Sequence, residues 1–159
     1  MTGRRHLIGL VSDTHGMVRA SLFDALAGVE LILHAGDVGP DDVLVELEAI
    51  APVRAVRGNT DAPGNPRHAA ALTLEIGGVS IHVSHGHELG SPTPAKLLAA
   101  YAQRVLVYGH THRQLITEAD GRLVINPGAA GARRFDLAPS VARLVIEDGV
   151  PSVELIALD

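Results

Sequence analysis

Five short segments of this chain that contain or adjoin glycine are rich in side chains that bind metal ions. Carboxylates, imidazoles and an amide, in a chain of 159 residues with nine histidines and no cysteine, indicate mixed nitrogen and oxygen ligation. This donor set suits Mn²⁺, Fe, Ni²⁺, Co²⁺ or Zn²⁺ better than Ca²⁺ or Mg²⁺, which prefer oxygen alone. We therefore expect a metal centre built from residues 13–15, 36–37, 58–59, 85–87 and 109–112.

The residue types also suggest how two ions would share these ligands. Two divalent cations about 3.5–4 Å apart need a bridging ligand with two oxygens, and a carboxylate supplies them. Asp37 is the natural bridge. Asp13 and His15 are two residues apart, so one turn can direct both at a single ion. The pair at His110 and His112 can be divided between the ions, and Asn59 can add a neutral amide oxygen.

The first half of the chain alternates between apolar runs and helical patterns. Three apolar runs each end in a polar turn, and helical spacing with typical end signals separates them. This β-α-β-α-β order predicts right-handed crossovers and a parallel sheet, whose ligands collect beyond the carboxyl ends of the strands. The predicted strands are 6–12, 30–35 and 53–57, and the predicted helices are 21–27 and 40–50.

The second half favours antiparallel pairing. Gly77-Gly78 lies between two apolar runs, and aspartate-glycine pairs mark two further turns, all typical of β-hairpins. The fold class that follows is α/β, a four-layer α/β/β/α sandwich of two mixed β-sheets flanked by helices, in one domain over residues 1–159. The predicted elements are strands 72–76, 79–84 and 104–108, helix 95–103, and strand pairs turning at 120–121 and 148–149.

The order Asp-x-His, Gly-Asp, Gly-Asn, His-Gly-His and Gly-His-x-His resembles the calcineurin-like metallophosphoesterase superfamily. The turns at 12–16, 34–37, 57–61 and 126–128 are most similar to its short bacterial and archaeal phosphodiesterases. The resemblance implies the four-layer sandwich and hydrolysis of a phosphate ester by a metal-bridging hydroxide. It also implies two ligand sets, Asp13, His15, Asp37 and His112 for the first ion, and Asp37, Asn59, His85 and His110 for the second.

The sequence departs from many superfamily members at the expected proton donor. Those members carry a histidine directly after the Gly-Asn pair, and it is thought to protonate the leaving group, whereas Thr60 stands there in this chain. His87, two residues beyond His85, is the nearest plausible substitute or phosphate contact. His87 and Asn59 are therefore the candidate catalytic residues.

Several other polar residues have more ordinary interpretations. His6, His68 and His82 are expected to be surface or packing residues without a role. His34 is either a hydrogen-bond partner of the ligands or a core histidine. The arginine pair at 133–134 either holds phosphate oxygens or is simply solvated.

Charge and composition limit the partners. With 13 basic against 18 acidic residues and no basic run, the net charge of −5 argues against nucleic acid, and no apolar run is long enough for a membrane span. We expect a cytoplasmic enzyme that binds a small phosphate ester and two divalent ions, with Mn²⁺ as the first candidate. A homo-oligomer is left open. The alternatives are a protein-binding scaffold of the same fold and a single-metal hydrolase acting on another ester or amide.

Overall fold

The polypeptide forms two β-sheets and three short α-helices in residues 5–133 and 136–158, which are the residues that the computed structural model describes. Arg134 of the predicted arginine pair lies outside these ranges. In chain order the elements are β1 (Arg5–Val11), α1 (Ala20–Ala25), β2 (Leu31–His34), α2 (Asp42–Leu47), β3 (Val53–Val56), β4 (His68–Ala69), β5 (Leu72–Ile76), β6 (Val79–Val83), a 3₁₀ turn (His87–Leu89), α3 (Pro94–Ala100), β7 (Val105–Val107), β8 (Leu115–Ala119), β9 (Arg122–Asn126), β10 (Ser140–Glu147) and β11 (Val150–Ala157).

The first sheet has the order β11-β10-β1-β2-β3-β4. Strands β1 to β4 are parallel, as the β-α-β-α-β pattern predicts, and α1 and α2 form the crossovers. β10 lies antiparallel to β1 and forms a hairpin with β11. β4 has only two residues, too few to give a periodic pattern, so the sequence did not predict it.

The second sheet has the order β5-β6-β7-β9-β8, and its pairing corrects the sequence-based expectation. The hairpins β5-β6 and β8-β9 are antiparallel as expected, but β7 is parallel to both β6 and β9. The chain crosses from β6 to β7 through α3, and a helical crossover returns the chain in the parallel direction. The expectation that this half is wholly antiparallel is therefore wrong, while the two mixed sheets are confirmed.

Three apolar clusters establish the layers. One lies between the sheets and includes Ile8, Val83 and Val107. A second packs α1 and α2 on the outer face of the first sheet, and a third packs α3 on the outer face of the second. This arrangement is the predicted four-layer sandwich. Within the described residues, no helix has the length and apolar character needed to cross a membrane.

The parallel strands of both sheets bring their carboxyl ends to one edge of the sandwich. β1, β2 and β3 end at Val11, His34 and Val56 in the first sheet, and β6 and β7 end at Val83 and Val107 in the second. Each of the five candidate ligand segments begins two residues after one of these ends, so the fold gathers them at a single edge.

Candidate metal centre

The predicted ligands converge into two adjoining groups at this edge. Asp13, His15 and His112 form one group, and Asp13, Asp37 and His85 form the other, with the ligand atoms of each group within 4.8 Å of one another. His112 Nε2 lies 3.4 Å from Asp13 Oδ1, and His85 Nε2 lies 3.2 Å from Asp37 Oδ2. Residues from the ends of β1, β2, β6 and β7 therefore meet in one cluster.

Asp37 connects the two groups through one oxygen. Its Oδ2 is 3.6 Å from His15 Nε2 and 3.2 Å from His85 Nε2, so it lies between the two imidazoles. Its Oδ1 accepts a hydrogen bond from the Thr60 backbone N–H at 3.0 Å. Burial raises the pKa of the Asp37 carboxyl, but the contact with His85 and the Thr60 hydrogen bond outweigh it and hold that pKa well below its usual range.

Asn59 and His110 complete the side of the cluster near His85. Asn59 Oδ1 lies 3.0 Å from His85 Nε2 and 3.2 Å from His110 Nδ1. The His85 and His110 rings meet edge to face, with centres 5.1 Å apart. The amide oxygen thus faces the same space as the two ring nitrogens.

Two features of the cluster fit a bound cation. His85 Nδ1 lies 2.8 Å from the Ala35 carbonyl, which can only accept, so in the neutral ring Nε2 carries a lone pair. That lone pair faces the oxygens of Asp37 and Asn59. Asp13 Oδ1 is buried and has no hydrogen-bond partner among the described residues. Such acceptors, facing one another in the interior, need a positive charge between them.

The pKa of His85 reflects the same electrostatics. Burial lowers this pKa, but the carboxylates of Asp37 and Asp13, together with the hydrogen bond to the Ala35 carbonyl, raise it further than burial lowers it. The cluster therefore attracts a proton to the position where a cation would lie.

Most of the candidate ligands have an unusual backbone conformation. A positive φ is uncommon outside glycine and persists only where surrounding contacts hold it. The turns after β1 and β2 are held together by backbone hydrogen bonds from the residue 13 amide to the residue 36 carbonyl and from the residue 15 amide to the residue 37 carbonyl. The positive values are Asp13 53°, His15 46°, Asp37 55°, His110 73° and His112 62°.

Two glycines let the ligand turns approach one another. A Cβ added at Gly58 would overlap both the backbone nitrogen and Oδ1 of Asp37. A Cβ at Gly109 would overlap the Ser12 hydroxyl and lie 2.6 Å from Asp13 Oδ2. Glycine is needed at both places because a side chain would displace a carboxylate of the cluster.

Asp61 is a positioning residue that the sequence analysis missed. Its buried carboxylate accepts hydrogen bonds from the backbone N–H groups of Val38 at 3.0 Å, Gly39 at 3.2 Å and Gly58 at 2.9 Å. It therefore joins the turn carrying Asp37 to the turn carrying Asn59. A carboxylate two residues after the Gly-Asn pair was the available signal, since aspartate often caps local backbone amides.

His34 supports the ligand turns through hydrogen bonds and is buried. Its Nδ1 accepts from the Gly36 N–H at 3.1 Å, so Nε2 donates to Thr14 Oγ1 at 2.9 Å. The Thr14 hydroxyl in turn donates to the Val38 carbonyl at 2.8 Å. Burial lowers the pKa of His34 to about 4, which keeps the ring neutral for this chain of bonds. His34 is therefore a buried histidine with both ring nitrogens hydrogen-bonded, and its partners are residues of the ligand turns rather than the candidate ligand side chains.

The remaining histidines lie outside the cluster. His87 is adjacent to it, with its ring centre 5.3 Å from that of His85, and its Nδ1 is buried without a partner among the described residues. His6 contacts Glu30 at 3.1 Å, His82 stacks on Tyr101 with ring centres 3.7 Å apart, and His68 is buried.

Comparison with known proteins agrees with this geometry. Residues 7–149 match the family model of the calcineurin-like phosphoesterase superfamily domain. A probable metallophosphoesterase of Methanothermobacter thermautotrophicus is 37% identical over 94% of this chain and 91% of its own length. A phosphodiesterase of Methanocaldococcus jannaschii is 30% identical over 76% of this chain and 82% of its own.

The fold also matches solved structures. Vacuolar protein sorting 29 of Cryptosporidium parvum superimposes with a TM-score of 0.81 at 23% identity, over 98% of each chain. At that identity the likeness concerns the fold alone, whereas the sequence relatives and the family model concern descent. The chain therefore belongs to the calcineurin-like phosphoesterase superfamily.

Proposed function

We propose that this protein is a dinuclear metal-dependent phosphodiesterase. The family match and the named relatives already support a phosphoesterase-type hydrolase of a family that binds divalent metals. The observation that carries this proposal is the convergence of five ligand-type side chains into two groups that share Asp13, with Asn59 and His110 beside them. A single ion would leave several of these ligand-type side chains without a metal contact.

The contacts support a division of the ligands between two ions, with Mn²⁺ as the first candidate. The Asp37 oxygen between His15 and His85 makes Asp37 our proposed bridge. Asp13 is the rival, because its Oδ1 is 3.8 Å from both of those ring nitrogens. The proposed sets are Asp13, His15, Asp37 and His112 for one ion, and Asp37, Asn59, His85 and His110 for the other.

The chain's own residues would position and complete the reaction. When bound, two divalent cations supply a water that is nucleophilic near neutral pH and neutralise charge on the phosphoryl oxygens. Asp61 and His34 fix the turns that present the ligands, so the substrate meets a preorganised site. His87, beside His85 and His110 at 5.3 and 6.3 Å between ring centres, is placed to donate a proton to the leaving oxygen.

A protein-binding scaffold is the second candidate function. The match to vacuolar protein sorting 29 is the observation that favours it, because the two chains share a fold over nearly their whole length. The enzyme remains the better proposal since every ligand type of the two sets is present and directed at one cluster.

The test is a screen of phosphomonoesters and phosphodiesters against protein stripped of metal and reloaded with Mn²⁺, Ni²⁺, Zn²⁺ or Mg²⁺. We expect phosphodiester hydrolysis that depends on the added metal, with Mn²⁺ among the best. Equal hydrolysis by the metal-free and the reloaded protein would refute the metalloenzyme. Two bound ions without turnover of any ester would favour the scaffold.

The role of His87 has a separate test based on leaving groups. General acid catalysis contributes roughly 10²–10⁴-fold and matters most for poor leaving groups. We expect His87→Ala to slow alkyl esters more than activated aryl esters, and Thr60→His to favour alkyl esters at equal metal content. An equal loss on both ester types in His87→Ala would assign His87 to positioning instead.

A further inference from the structure

A cavity beside the metal cluster has no role in the reaction described so far. It encloses about 260 Å³, and its walls include Arg57, Ser84, His87, Glu88 and Tyr101. Two of these residues adjoin candidate ligand segments, since Arg57 precedes Gly58 and Ser84 precedes His85. His87 stands between the cavity and the cluster, with its ring 5.3 Å from that of His85. One side chain, that of His87, therefore separates this space from the cluster, and an arm of a molecule held at the metals would pass it to enter the cavity.

The only carboxylate among these wall residues is already engaged. Glu88 Oε1 accepts from the Gly86 N–H at 2.9 Å, and its Oε2 accepts from the Tyr101 hydroxyl at 2.7 Å. Burial raises the pKa of Glu88, but these hydrogen bonds outweigh it and keep the pKa low. Both carboxylate oxygens of Glu88 thus already accept hydrogen bonds from within the chain.

Arg57, the cation in the cavity wall, has no comparable partner among the described residues. Among the residues that the structure describes, no carboxylate lies within ion-pair distance of Arg57, and its half-buried guanidinium offers up to five N–H donors. His87 Nδ1 is also buried and has no hydrogen-bond partner among the described residues. The Ser84 hydroxyl, also buried, lies near Glu88 and can turn toward the cavity. The groups left to bind a ligand are therefore mainly donors.

We propose that this cavity, which we call the Arg57 subsite, binds a second anionic group carried by the substrate, so that the preferred substrates are phosphoesters whose organic arm bears a further phosphate or carboxylate. The inference rests on the proposed function for the position of the first phosphate. A planar guanidinium forms paired hydrogen bonds with either kind of anion. The volume accommodates such a group with a short carbon linker.

Binding of non-hydrolysable phosphonates to the metal-loaded protein tests the subsite without relying on turnover. Propylphosphonate and 3-phosphonopropionate differ by the terminal anion, and 1,3-propanebisphosphonate carries a second phosphonate instead. We expect calorimetry at pH 7.5 to give about tenfold tighter binding for at least one of the two probes that carry a second anionic group than for propylphosphonate. The tighter of the two identifies the anion that the subsite prefers.

Variants of two arginines provide the matched comparison. Arg57→Gln is expected to reduce the preference to less than twofold, and Arg57→Lys to restore part of it. Arg54→Gln removes the same charge from β3, the strand that ends just before Arg57, but Arg54 lines a different cavity, so the preference should persist. Equal binding of all three probes by the wild type, or a preference that survives in Arg57→Gln, would overturn the subsite.

The same titrations separate this inference from the proposed function. Propylphosphonate binding that requires metal but shows no added affinity for a second anion would refute the subsite alone. A preference that depends on Arg57 but is unchanged after metal removal would support the subsite and contradict the metal-centred function.

Discussion

Among the described residues, left-handed backbone occurs at two kinds of non-glycine position, and the contrast separates local from long-range control. Asp120 and Asp148, with φ of 52° and 55°, are exposed at two-residue hairpin turns, where each is followed by a glycine of positive φ. Such turns require this conformation and match the twist of the paired strands. The hairpin aspartates therefore take up left-handed backbone through local geometry.

The candidate ligands reach the same conformation by other means. Asp37 also has a φ of 55°, yet it is buried and its turn is held by Asp61 and by contacts from distant segments. Strain of this kind costs of order 1–3 kcal/mol per residue and persists only where surrounding structure fixes it. We infer that the hairpin turns connect strands, whereas the turns at the cluster are held in a strained conformation by the rest of the fold so that they present the candidate ligand side chains.

The largest expected difference between the regions concerns glycine. Gly58→Ala would place a methyl group on the Asp37 backbone and carboxylate, so we expect activity to fall by about 100-fold or more. Gly121→Ala meets no atom within 4 Å and strains only its φ of 75°, costing about 1 kcal/mol of folding free energy without loss of activity. Kinetics and urea unfolding of both variants measure this difference, and similar activity losses would contradict it.

The next difference is a dependence of stability on pH that belongs to the cluster region. The pKa of His34 is about 4 in the folded protein and about 6.5 in the unfolded chain. The stability that the neutral buried ring contributes is therefore complete above pH 6.5 and is lost as pH falls to 4. The expected loss is roughly 3 kcal/mol in the free energy of unfolding.

His34→Gln provides the control for this pH effect. Urea unfolding at pH 7 and pH 4.5, with a chelator present throughout, should show a smaller decrease for the variant than for the wild type. His85 titrates in both proteins, so its contribution cancels in the comparison. Parallel decreases in the two proteins would show that His34 is not the group responsible.

Substituting a side chain that holds a ligand turn in place should reduce metal affinity and activity more than substituting one that merely occupies a hairpin turn. Asp61→Asn replaces one acceptor oxygen by an amide that faces backbone N–H donors. We expect metal affinity and activity to fall by about 10–100-fold with the fold retained. Asp120→Asn is the matched control and should change neither. Metal titration followed by activity assays distinguishes the two variants, and an unaffected Asp61→Asn protein would remove its positioning role.

The smallest expected change in stability is at Asp148, the hairpin residue whose φ equals that of Asp37. Asparagine readily adopts left-handed backbone in such turns, so Asp148→Asn should alter the free energy of unfolding by no more than about 0.5 kcal/mol. Thermal unfolding measures this directly. A larger loss would mean that the Asp148 carboxylate itself supports the hairpin, and the contrast with the cluster would weaken.

The position of the candidate site was accessible from sequence because local signals determine where its residues lie. Each apolar run ends in a polar, glycine-containing turn, and parallel pairing carries these ends to one edge, as Asp13, Asp37 and His85 illustrate. The hairpins at 77–78, 120–121 and 148–149 were predictable for the same reason, since their turn residues specify the conformation.

Other features depend on partners far apart in the chain. The parallel pairing of β7 with β9 and the addition of β10 to the first sheet are set by packing between segments, which residue patterns within one strand do not encode. Asp61 binds backbone amides, and Thr14 connects His34 to a carbonyl. Because every residue offers such backbone groups, the sequence does not identify the partner in advance.

Metal content per chain tests the central claim, a centre of two ions bridged by Asp37, most directly. Elemental analysis with metal titration should give two ions for the wild type, almost none for Asp37→Ala, and selective weakening of one site for His112→Ala. Asp148→Ala, at the same φ of 55° in a hairpin, should retain both ions. If Asp13→Ala empties both sites while Asp37→Ala empties only one, the bridge is Asp13. Two ions bound to Asp37→Ala with unchanged affinity would contradict the bridging assignment.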